Sequence, residues 1–166
     1  MYQEPDQQEQ QQNPRWLLEQ AEALLAGCSD PVANAANLSA LLYLALDDVN
    51  WVGFYFLKQG RLLVGPFQGK PACIEIPLGK GVCGTAAARR EILRVADVDS
   101  FDGHIACDIA SRSEIVLPLV KSGELLGVLD LDSPVPGRFG PEDELLLQEV
   151  AELFVRSLDF GPGQDG

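Results

Sequence analysis

Apolar residues at Trp16, Leu17, Ala21, Leu24 and Leu25 fall three and four apart, which predicts one face of a helix. Pro14 suits its first turn and Gly27 its end. A second helix is predicted from Asp30–Pro31, with Leu38, Leu41, Leu42, Ala45 and Leu46 on its apolar face. The period then shortens to two. NWVGFYFLK (50–58) is aromatic and β-branched, and Gln59–Gly60 turns it into a second strand, RLLVGPF. Alternation puts Trp51, Gly53 and Tyr55 on one face and Val52, Phe54 and Phe56 on the other. Two aromatics around a glycine predict either a concave wall or plain core packing. CIEIPLGKG (73–81) reads as a short strand ending at Pro77 and a glycine-rich turn, and VCGTAAARR (82–90) as a helix with Cys83 in its first turn. EILRVADV is a further short strand. SFDGHIACDIASRS is a loop of a length that is usually functional. EIVLPLVKSGELLGVLDLDS is the clearest hairpin, turning at Ser122–Gly123. Pro141, Glu142 and Asp143 open a last helix to about Leu158, with Leu145, Leu146, Val150, Leu153 and Phe154 inward. Hairpins outnumber βαβ units, so the predicted class is α+β, an antiparallel sheet with helices on both faces.

Composition narrows the function. The 166 residues suggest one domain over 14–160, between a Gln-rich tail (1–13) and a short tail (161–166), both expected to be disordered. A net charge of −13 disfavours nucleic acid and anionic membrane surfaces as partners. The first residues show neither the basic nor the apolar segment of a secretory signal, so a cytoplasmic address with reduced thiols is expected. There are four cysteines and one histidine, His104. None forms a C-x-x-C pair, and no metal is expected. Gly79, Gly81 and Gly84 match no phosphate-binding fingerprint.

The candidate chemistry lies in thiols and acids. Asp130 and Asp132, two apart on a strand, share a face, and Glu114 at the start of the neighbouring strand reaches the same face. Three acids can occupy one dry pocket only if a cation joins them or a proton is retained. An ammonium ligand supplies the first and a general acid needs the second; a solvated face is the plainer alternative. Cys107 lies in the long loop beside Asp108, with Arg112 and His104 as candidate electropositive neighbours. Cys83 at a helix N-terminus is expected to have a lowered pKa. Cys28, in the turn between the first two helices, reads as structural. One such thiol can be oxidised to a sulfenic acid and a second can resolve it as a disulfide.

NWVGFYF, PACIEIPLGKGVCGTA, HIACDIASRSEIVLPL and GVLDLDS together resemble the motifs of the free methionine-(R)-sulfoxide reductases, which are built on a GAF domain. The resemblance spans roughly residues 16–158. It implies a GAF-like sheet and reduction of free methionine-(R)-sulfoxide. It implies Cys107 as the catalytic cysteine, Cys73 as the main resolving cysteine and Cys83 as an auxiliary one. Glu114, Asp130 and Asp132 would hold the substrate ammonium and protonate the sulfoxide, and Trp51 and Tyr55 would enclose the S-methyl group. Electrons would come from thioredoxin, with no bound cofactor, and the family tends to form homodimers. A non-catalytic GAF sensor and a redox-sensing module are the competing readings; a sensor would need none of the thiols.

Overall fold

The computed structural model describes residues 13–103 and 111–158. Helices α1 (Pro14–Leu25) and α2 (Pro31–Ala45) lead into strands β1 (Trp51–Lys58), β2 (Arg61–Gly69) and β3 (Glu75–Pro77). Helix α3 (Gly81–Arg89) and strand β4 (Leu93–Val95) follow, then β5 (Ser113–Lys121), β6 (Glu124–Ser133) and α4 (Pro141–Ser157). Both leading helices start as their sequences dictate, with Pro at N1. The Asn13 side chain accepts from Arg15 N–H at 3.1 Å and the Asp30 side chain from Ala33 N–H at 2.8 Å.

The six strands form one antiparallel sheet in the order β3-β2-β1-β6-β5-β4. Its hairpins turn where expected. Gln59 and Gly60, and Ser122 and Gly123, all have positive φ, the geometry that matches the right-handed strand twist. The sheet has two covered faces. On one, Val52, Phe54, Ile115, Leu117, Leu119, Leu129 and Leu131 pack with α1, α2 and α4. Phe54 and Phe154 sit with ring centroids 4.7 Å apart at the centre of that layer. On the other, Tyr55, Leu62, Val116 and Val128 pack against Val82, Ala86 and Ala87 of α3. Helices thus flank both faces, as expected. Among the described residues no helix is long and apolar enough to cross a membrane.

One detail differs from the sequence expectation. Leu145 is exposed, whereas Val150 and Phe154 are buried and Leu146 and Leu153 pack against the core as expected; Leu147 and Ala151 are buried besides. Of the three consecutive leucines only Leu147 has apolar partners three, four and seven residues on, so the helix turns that face to the sheet. Asn34 and Ser39 are buried polar groups in α2. Asn34 donates to the Cys28 carbonyl at 2.9 Å and to Ser157 Oγ at 3.0 Å, tying the α1–α2 turn to the end of α4. Ser39 donates to its own helix at Ala35 O. Of the Gln-rich tail expected over 1–13, Asn13 is the cap of α1, and residues 1–12, like the expected tail at 161–166, lie outside the described residues.

Candidate active site

The sheet register assembles the acids. Trp51 pairs with Asp132, which pairs with Glu114; Gly53 pairs with Asp130, which pairs with Val116. Alternation on β5 and β6 turns all three carboxylates to the α3 face, and Cys83 enters that cluster from the first turn of α3. Glu114 and Asp130 are buried, at 7% and 5% exposure, so the solvated-face alternative is excluded. Cys83, Glu114, Asp130 and Asp132 line one cleft with Trp51, Tyr55 and Ser111.

Burial and crowding set the protonation. Glu114 is pushed up to about 8, first by burial and then by the Asp130 charge. Asp130 is raised well above the carboxylate range by burial, with Asp132 adding to the shift. Cys83 is also raised, by burial and then by Asp130, Glu114 and Asp132. This overturns the expected lowering at the helix N-terminus. A half-charge at a helix end is worth a few tenths to ~2 kcal/mol, less than full desolvation beside carboxylates. The Cys83 thiol is therefore kept neutral.

The two readings of the aromatic segment, a concave wall and core packing, meet in the structure: Trp51 and Tyr55 are buried and also line the cleft. The Trp51 ring lies over Gly53. A Cβ there would meet Trp51 Cη2 at 2.6 Å and collide with Phe67 Cβ. The glycine seats the indole instead of leaving a hollow. Trp51 stacks on Phe67 at 5.2 Å and on Tyr55 at 5.8 Å between centroids. Trp51 Nε1–H donates to the Lys70 carbonyl at 3.1 Å, and Tyr55 O–H to the Cys73 carbonyl at 3.2 Å. These bonds hold the segment 70–73 at the mouth of the cleft.

Cys73 is disulfide-bonded, whereas Cys28 and Cys83 are free. Cys107, His104 and Asp108 lie outside the described residues. Arg112 is exposed and is not part of the cleft lining. The lining also includes Lys70, Lys80 and Ser111, which sequence reasoning missed. They sit outside the strands, where alternation gives no direction. The hydroxyl of Ser111, buried and without a partner among the described residues, leaves no sequence signal at all.

The GAF domain family matches residues 19–158. The chain is 60% identical over 132 residues to the free methionine-R-sulfoxide reductase of Escherichia coli, covering 79% of this chain and 80% of that one. It superposes with a TM-score of 0.85 on the Staphylococcus aureus fRMsr solved in complex with substrate. That pair is 47% identical, over 89% of this chain and 96% of the other. A Neisseria meningitidis free methionine-R-sulfoxide reductase in complex with its substrate also gives 0.85. It is 41% identical, over 95% of this chain and 93% of the other. With motifs, fold and relatives in agreement, the chain belongs to the free methionine-R-sulfoxide reductases, enzymes built on the GAF domain.

Proposed function

We propose that this chain reduces free L-methionine-(R)-S-oxide to L-methionine through Cys107, with Cys73 resolving and thioredoxin restoring the thiols. The observation that carries the reading is a buried carboxyl, Glu114, raised to about 8 beside Asp130 under an aromatic wall. Sulfoxide oxygen is a poor leaving group until protonated, and a carboxyl that keeps its proton at neutral pH can supply one. In this reading the Cys107 thiolate attacks the sulfoxide sulfur while Glu114 protonates the oxygen. Methionine leaves, Cys107 retains the hydroxyl as a sulfenic acid, and Glu114 regains a proton from water. The Cys73 thiol then attacks the sulfenic sulfur, water departs and a disulfide remains. A thioredoxin dithiol reduces that disulfide, so the cycle uses no bound cofactor. The disulfide-bonded state of Cys73 supports its resolving role. The buried neutral thiol of Cys83 fits an auxiliary role, because the thiolate is the nucleophile.

Asp130 and Asp132 receive the substrate ammonium, whose charge lets these crowded acids ionise. Trp51 and Tyr55 enclose the S-methyl end. The experiment is thioredoxin-coupled turnover of Cys107→Ser beside ligand binding to the same variant. The reading expects turnover to vanish and binding to survive. Turnover that persists would remove Cys107 from the chemistry.

A further inference from the structure

Cys83, Glu114 and Asp130 come from α3, β5 and β6, and one ligand atom of each lies within 4.8 Å of the others. All three are buried. Among the described residues Asp130 Oδ1 has no hydrogen-bond partner, and neither has the Ser111 hydroxyl in the same cleft. An unpartnered buried acceptor is costly, and here it points to a ligand that donates positive charge. One sulfur with two carboxylate oxygens is a mixed soft and hard set, which suits Zn2+ and its like; Ca2+ and Mg2+ take oxygen alone. Chain spacing hides the set, because sheet register and helix docking assemble it.

We propose that the floor of the cleft is a binding site for one Zn2+-class ion, held by Cys83 Sγ and one oxygen each of Glu114 and Asp130, and that this ion excludes substrate. Tetrahedral zinc bonds of ~2.0–2.3 Å place ligand atoms roughly 3.5 Å apart, so side-chain rotation of about 1 Å closes the set. The proton of Cys83 and those retained by Glu114 and Asp130 leave to water as the thiolate and carboxylates bind, and no electron moves. Exclusion of substrate rests on the proposed reductase reading; binding of the ion does not.

The test is titration of the reduced full chain with Co2+, which occupies zinc sites and reports a thiolate ligand as a near-ultraviolet charge-transfer band. One equivalent should develop the band, Zn2+ should displace it, and Cys107→Ser should retain it. Cys83→Ser should lose it. No band in the parent chain, or an equal band in Cys83→Ser, overturns the site. Asp130→Asn covers the case in which Cys83→Ser does not fold. Its Co2+ affinity should fall roughly tenfold or more, and an unchanged affinity overturns the site. Free methionine-(R)-sulfoxide added to Cys107→Ser should weaken the apparent Co2+ affinity, and an unchanged affinity overturns the exclusion. A chain that binds Co2+ through Cys83 yet reduces no sulfoxide keeps the metal site and removes the reductase reading.

Discussion

Glu114 shows how much a position in the sheet does to one side chain. Its folded-state pKa is about 8, against about 4.5 unperturbed. The folded chain therefore holds a proton that the unfolded chain gives up between those values. That contribution to stability is complete below pH 4.5 and is lost as pH rises toward 8. Glu114→Gln stays neutral at every pH. Thermal unfolding should find it close to the parent at pH 4.5 and more stable than the parent at pH 8. In the proposed reaction the same proton is the one given to the sulfoxide, so kcat/KM of the parent should fall as pH rises through about 8. Glu114→Gln should lose about 10²-fold or more in kcat/KM and that alkaline limb with it. Alternation exposed Glu114, Asp130 and Asp132 in the sequence, because a strand's two faces are countable. The neutral state of Cys83 was not countable, since the carboxylates that raise it arrive from other elements.

Among the elements, the close approaches of glycine decide whether the site exists. Gly53 seats the Trp51 ring, and β1 and β2 shift register beside it. Gly53→Ala forces the indole off its seat. It should cost about 1–3 kcal/mol of stability by chemical denaturation, raise KM and shift the tryptophan emission. Gly84, one residue after Cys83, lets α3 rest on the Pro77 carbonyl, where any Cβ would collide. Gly84→Ala should push the helix away and lower activity more than a surface Gly→Ala elsewhere. The strand and helix periods were legible because each element buries one face. On α4 only Leu145 was misplaced, because three leucines in a row, Leu145 to Leu147, offer the helix more than one stripe. On the other layer, Phe154→Ala removes the ring packed on Phe54 and should cost about 3–5 kcal/mol without moving a carboxylate.

At the scale of the whole molecule, the sheet separates two tasks. The face under α1, α2 and α4 carries the large apolar core. The opposite face spends part of its area on buried acids beneath α3. The β1–β2 and β5–β6 hairpins could be read from their spacing, but the pairing of β1 with β6 that joins them could not. The cleft could not, because residues 70–73 reach it through two side-chain bonds, from Trp51 and Tyr55, that no local pattern encodes. Thiol recycling also belongs to this scale. Cys73→Ser should still make methionine once per chain when mixed with substrate, while steady-state turnover with thioredoxin slows. A variant unable to make even that first methionine would remove Cys73 from its resolving role. In the proposed reading the acid cluster demands a free amino group, since a substrate without one brings no charge to let the crowded acids ionise and pair. The most direct measurement compares kcat/KM for free and N-acetylated methionine-(R)-sulfoxide with thioredoxin present. The account predicts a loss of about 10²-fold or more for the acetylated form. Equal values for the two would contradict it.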